Sequence, residues 1–294
     1  MAIVEKFVNQ LKRQLRHWPI FLSCTSALIP LGMLIFIIVT LFQESSYAIE
    51  RVGFESLFST EYHSTFTQSG REKGLLAALG GTILMVGIAI AIALPVSLAM
   101  AILSSEFPSG FLGKSIRSVL GVFSGIPPII YAILGAATIV GLLSIVPGGS
   151  SFKGGIVLSL LIIPFMAPLI DDALRDVPSN LKEASLALGA TRRYTLIRVT
   201  IPVASAGLVS AIAMGILKGM GDLMIAWFVV GVIPDVPTPF WDIMDPGGSL
   251  TSAGAGLAGG LGGSGYVNNP IDRSAAYFTG FVLLILAFTV MIAG

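Results

Sequence analysis

Apolar residues along this chain run in long blocks and do not alternate with polar ones. Six blocks stand out, at 19–42, 77–103, 118–143, 154–173, 203–233 and 274–294. A helix that crosses a bilayer needs about 20 predominantly apolar residues, and these blocks match that length. Lipid offers no water to pair exposed backbone groups, so segments of this kind read as helices, whose amides pair internally. The pattern predicts an all-α integral membrane protein with six transmembrane helices. The first block lacks the short apolar core and small-residue cleavage site of a signal peptide, so it is expected to stay with the chain.

The polar stretches divide the chain further. Residues 1–18 place Ile3, Val4, Phe7, Leu11 and Leu15 at helical spacing with basic residues between them, the mark of an amphipathic helix lying on a membrane surface. Residues 19–76 hold the first spanning helix and a polar connection. Residues 77–233 form a core unit containing the polar connection 174–202, and 274–294 is the last spanning helix. Between these two lies the connection 234–273, with a glycine-rich run at 247–265. That run has no Gly-Lys-Ser/Thr ending, so it is no phosphate-binding loop, and it reads as a flexible external segment.

Composition agrees with a membrane protein. Of 294 residues, 54% are hydrophobic and 11% charged, with a mean hydropathy of +0.90, whereas soluble domains carry about 25% charged residues. A net charge of +1 gives no basis for a nucleic-acid partner. His17 and His63 lie far apart and Cys24 is alone, so neither a Cys/His metal site nor an internal disulfide is expected.

The basic residues give an orientation. The N-terminal tail and the connections after blocks two and four hold eleven of the 17 lysines and arginines; Arg51, Arg71, Lys73, Lys153 and Arg273 fall in the alternate connections, and Lys218 lies within block five. Cytoplasmic connections carry the excess of Lys and Arg. The N-terminus, the 174–202 connection and the C-terminus are therefore expected inside, and 43–76 and 234–273 outside.

Three groups of residues carry candidate chemistry. In 174–202, Pro178-Ser179-Asn180 precedes helix formers, and Ser179 or Asn180 suits a helix cap. Gly189 suits a left-handed stop, and a second helix can begin near Thr191. The expected product is a helix, a sharp reversal and another helix. In block five, Lys218 and Asp222 are ionisable residues at membrane depth, spaced to share one helix face and to pair. Gly219 and Gly221 beside them permit close packing or bending. In block three, Pro127 and Pro128 interrupt the backbone ladder, and Ser124 and Tyr131 offer hydroxyls where irregular backbone lines a cavity. Pro95, Pro164 and Pro168 suggest further bends.

The connection has a family likeness. Glu183-Ala184-Ser185, then Gly189 after three residues, then Val199-Thr200-Ile201-Pro202 after nine more, resembles the E-A-A-x3-G-x9-I-x-L-P coupling loop of binding-protein-dependent ABC importer permeases. Phe123–Tyr131 looks like the A-G-I-P-S-V-V-Y-G segment of phosphate importer permeases. Asp172–Pro178 is similar to their D-A-L-R-A-V-P, and Leu103-Ser104-Ser105-Glu106 to their Y-L-S-E. The likeness covers about residues 75–232.

It implies the type I importer permease fold and a subunit that performs no catalysis. Glu183, Ala184, Ser185 and Gly189 would engage a separate ATPase dimer that holds the ATP and magnesium. It further implies a second permease subunit, an external substrate-binding protein and the inner membrane of a prokaryote. Lys218 and Asp222 stand where the phosphate family shows arginine and glutamate in G-R-A-x-G-E-T-M, so the implied substrate is an inorganic oxyanion. Phosphate leads; molybdate, tungstate or sulfate stay open, because lysine lacks arginine's two-pronged fork. A membrane-embedded enzyme would need clustered His, Asp or Glu at membrane depth. A secondary transporter driven by an ion gradient would leave the 183–202 pattern without a purpose.

Overall fold

A computed structural model describes residues 26–47, 49–50, 75–106, 110–142, 150–230 and 270–294. The expected amphipathic segment 3–18, His17, Cys24, His63 and the glycine-rich run 247–265 lie outside the described residues. Among the described residues the elements are helical and no strand occurs. They are α1 (Ser26–Tyr47), α2 (Leu75–Glu106), α3 (Phe111–Ser124), α4 (Pro128–Leu134, prolonged by wider turns to Leu142) and α5 (Ser151–Arg175). After them come α6 (Ser179–Ala187), α7 (Arg192–Thr195, prolonged to Val203), α8 (Ser205–Met220), α9 (Leu223–Ile225, prolonged to Val230) and α10 (Pro270–Ala293).

Among the described residues three segments are long and apolar enough to cross a membrane unbroken: Ser26–Tyr47, Leu79–Glu106 and Ser151–Arg175. Two more qualify only as bent pairs, Phe111–Ser124 with Pro128–Ile139 at 91° and Arg192–Val203 with Ser205–Met220 at 69°, and Tyr277–Ala293 is a shorter apolar helix. Block three is interrupted beside Pro127-Pro128, as expected, and block five is broken as well. The 91° break falls at Gly125–Pro127 and the 69° bend at Ala204, where block five starts; inside block five a further break falls at Gly221–Asp222, while Pro95, Pro164 and Pro168 sit inside continuous helices. Pro127 lacks the amide that would prolong α3, which is why the chain turns there.

The core is built on α2 against α5. Met85, Val86, Ala89, Ala93 and Ala101 of α2 and Val157, Leu158, Ile162, Met166, Ile170 and Leu174 of α5 are buried, and α8 adds Ala211 and Met220. Lipid is as apolar as leucine, so close packing through small residues such as these alanines holds spanning helices together. Lys153, expected in an outer connection, is instead 2% exposed in the first turn of α5. That helix starts earlier than its apolar block because Ser150 caps it, accepting from the Lys153 amide at 3.3 Å. In contrast, the spanning window of α1 has no buried residue. α1 leans on α10 near one end, through an edge-on Phe42–Phe281 contact at 5.9 Å between ring centres and a hydrogen bond from Ser274 to the Glu44 carbonyl.

Candidate functional site: a coupling loop and two helix breaks

The connection after α5 folds as a helix, a reversal and a second helix. Helix α6 has no buried residue, and Glu183 and Ala184 are exposed on it. Gly189 ends it at φ +86°. The Gly189 amide donates to the Leu186 carbonyl at 3.0 Å and the Ala190 amide to the Ser185 carbonyl at 3.2 Å, the paired bonds of a Schellman stop. Only the left-handed backbone at Gly189 lets both form, and glycine enters that region without the penalty a Cβ would bring.

Ser185 has a partner as well. Its hydroxyl is 2.9 Å from that of Thr195 on α7, so the residue that replaces the family's second alanine pins the two arms together. Thr191 caps α7, accepting from the Tyr194 amide at 3.2 Å. The start of α6 differs from expectation. Pro178 is the capping residue and makes no side-chain bond, and Ser179 is already inside the helix. Lys182 secures this end instead, donating to the Leu174 carbonyl of α5 at 3.1 Å.

Sequence reasoning missed the apolar side chains of the knob. Leu181 and Leu186 are about two-fifths exposed and Leu188 is 89% exposed. Three leucines projecting from a polar connection form an apolar seat, and a Leu-x-Leu preceding the stop glycine was the signal available for it.

At the second break, α8 ends at Met220 with Gly221 as its cap, and Asp222 starts the next element. The carboxylate of Asp222 is buried and accepts from the Ile225 amide at 2.7 Å. The expected i, i+4 ion pair with Lys218 is absent, because the helix that would have put both on one face stops between them. Lys218 remains within Coulombic reach of Asp222, half-buried and, among the described residues, without an ion pair of its own. Gly219 is needed for packing: a Cβ there would lie 3.2 Å from Ile162 and 3.3 Å from Leu158, whereas one on Gly221 would meet only the Leu217 carbonyl at 3.4 Å.

At the first break the two hydroxyls turn to the backbone. The Tyr131 hydroxyl donates to the Phe123 carbonyl at 2.8 Å and the Ser124 hydroxyl to the Gly121 carbonyl at 3.0 Å. Tyr131 thereby ties α4 back to the end of α3 across Gly125–Pro127, sharing the Phe123 carbonyl with the Ile126 amide, which donates to it at 3.1 Å. The crook of this bend holds a cavity of about 320 Å³ whose walls include Val119, Phe123, Leu160 and Pro164. Its apolar lining offers no donor array for an anion.

The breaks are not independent. Leu223–Ile225, just past the second, packs on Pro128–Leu134, just past the first. No group of His, Cys, Asp and Glu suited to a metal ion occurs among the described residues.

An all-helical membrane bundle with interrupted helices and an exposed knob on one connection is the build of an importer permease. The profile of the family described as "Binding-protein-dependent transport system inner membrane component" matches residues 93–293, and the chain belongs to that family. Among relatives, the "Phosphate transport system permease protein PstC" of Haemophilus influenzae is 29% identical over 90% of this chain and 87% of its own length. The "Probable ABC transporter permease protein YqgH" of Bacillus subtilis is 27% identical over 98% and 93%. The "Probable phosphate transport system permease protein PstC" of Methanocaldococcus jannaschii is 28% identical over 97% and 95%.

Solved structures share the fold. A chain of the inward-facing MetNI methionine ABC transporter aligns with a TM-score of 0.55 at 22% identity, over 75% of this chain and 90% of that one. A chain of a bacterial ABC transporter involved in the import of alginate aligns with a TM-score of 0.58 at 18% identity, over 95% of each. The chain is thus a multi-pass ABC importer permease, and permeases of this kind are not themselves catalytic.

Proposed function

We propose that this chain is one of two membrane subunits of an ATP-driven importer for inorganic phosphate, and that it supplies half of the translocation path. The observation that carries the substrate class is Lys218, a cation with no ion pair among the described residues, beside a helix break in a chain poor in charge. Relatives named as phosphate permeases support phosphate among the oxyanions. Asp222 caps α9 and leaves the ammonium of Lys218 available to an anion. Gly219 and Gly221 flank the break and allow the backbone to pass close to its neighbours or to bend.

The knob Glu183–Gly189 is the seat for a separate ATPase dimer, which binds the nucleotide and its magnesium. It lies on the cytoplasmic side, as the basic residues of its connection indicate, and the N-terminus lies there too. A second, non-identical permease and an external binding protein complete the importer. A photo-crosslinking residue at Leu188 tests the assignment. Capture of the ATPase from Leu188, and not from the exposed Val122 on α3, is expected; a Leu188 probe that never reaches the ATPase in an active complex contradicts it.

A further inference from the structure

One side chain fastens the ends of α2 and α5 nearest the coupling loop. The guanidinium of Arg175, in the last turn of α5, is divided between the two helices. Its Nε makes an ion pair with Asp171 Oδ2 at 3.0 Å, one turn back on α5, and its Nη2 donates to the Ser104 carbonyl of α2 at 3.0 Å. The Ser104 hydroxyl donates to the same Oδ2 at 3.2 Å. Oδ2 thus has both the Ser104 hydroxyl and the guanidinium beside it, while Asp171 Oδ1 is buried and has no hydrogen-bond partner among the described residues.

A buried carboxylate oxygen without a donor is unfavourable. The edge of a guanidinium formed by Nε and one Nη matches both oxygens of a carboxylate at once. The donor that would fill Oδ1 is therefore already on the adjacent prong, and the Ser104 carbonyl draws it away. Ser104 lies in the last turn of α2, where a carbonyl has no partner within its own helix.

We propose that Arg175 is a two-position latch that passes motion of the coupling loop to the α2–α5 pair. In one position, seen here, the fork bridges the helices. In the other, both prongs take Asp171, Oδ1 is filled, the Ser104 carbonyl turns to water, and the ends of α2 and α5 separate. Lys182 of the coupling helix donates to the carbonyl of Leu174, the residue before Arg175. A push on α6 therefore arrives at the turn that holds the latch. Two discrete hydrogen-bonded arrangements make such a junction bistable instead of continuously deformable. The inference rests on reading the chain as an ATP-driven permease.

Spin labels on cysteines replacing Leu103 and Asp172 test it, in a Cys24→Ser background, with the complete complex in vesicles and phosphate-loaded binding protein. The parent is expected to show two distances whose ratio shifts with ATP. In Asp171→Asn, the amide presents one acceptor oxygen to a two-pronged donor, so the second position is denied. That variant should hold the bridged distance with or without ATP and lose more than about tenfold in uptake, the equilibrium shift that a charged hydrogen bond can impose. Its ATPase content should stay parental. Arg175→Lys, a point donor, should hydrolyse ATP without an ATP-dependent distance change. A parental distance response in Asp171→Asn or in Arg175→Lys overturns the latch. A parent that takes up phosphate with no change between the labels also overturns it. A parent whose labels respond to ATP while it carries a different oxyanion supports the latch and refutes the phosphate reading alone.

Discussion

Replacing Gly189 by valine isolates the backbone requirement of the coupling loop. The position has φ +86°, and an L-residue with a Cβ enters that region at a penalty of roughly 1–2 kcal/mol. Space is not the obstacle, because a Cβ built at Gly189 meets nothing within 4 Å. The whole effect should therefore appear as a smaller population of the reversed loop. A penalty of 1–2 kcal/mol lowers that population by a factor of roughly 5–30. Two hydrogen bonds close the stop, from Gly189 to Leu186 and from Ala190 to Ser185, and both loosen if φ moves to negative values. The assay is phosphate uptake per ATP hydrolysed in reconstituted vesicles, compared across glycine, asparagine, alanine and valine. Asparagine tolerates the left-handed region although it is larger than alanine, so the expected order of coupling is Gly, Asn, Ala, Val. Parental coupling in Gly189→Val refutes the reasoning, and so does an order that follows side-chain size.

Other changes probe the breaks and the topology. Lys218→Ala should abolish most anion uptake while Lys218→Arg keeps much of it, and because Asp222 is hydrogen-bonded to Ile225 and not ion-paired, the alanine variant should assemble normally, as judged by ATPase content. Asp222→Asn should retain the cap and near-parental thermal stability. Asp222→Ala should lose about 0.5–2 kcal/mol, the usual range for a missing cap, read as a lower unfolding midpoint of the purified complex. Tyr131→Phe removes the tie across the first break and should lower stability by about 0.5–1.5 kcal/mol, as for an ordinary hydrogen bond. Cysteines at 180 or 190 should be labelled only from the cytoplasmic face, and cysteines at 60 or 255 only from outside; labelling of both sets from one face contradicts the orientation.

The coupling loop was the most legible part of the chain. Its elements are local: a glycine suited to a left-handed stop, and a threonine placed to cap the next helix. Pro178 explains the one local error, since it takes the capping position and moves Ser179 and Asn180 into the helix. Asp222 illustrates a competition between rules. Its spacing from Lys218 suggested an ion pair, yet an aspartate followed by Leu-Met-Ile is also a helix-start signature, and the break at Gly221 decides for the cap. The Arg175–Ser104 contact was illegible because it joins positions 71 residues apart through a backbone carbonyl, which no sequence pattern marks. The strings around Ser104 and Arg175 could be matched to a family, but only the packing of α2 on α5 shows that they meet.

ATP-dependent accumulation of phosphate tests the central claim most directly. Vesicles holding the assembled importer, with ATP inside and phosphate-loaded binding protein outside, should concentrate phosphate and should hydrolyse ATP faster than without the loaded binding protein. Sulfate, molybdate and tungstate should neither accumulate nor accelerate hydrolysis. Accumulation of one of those oxyanions in place of phosphate, or phosphate uptake that proceeds without ATP, contradicts the account.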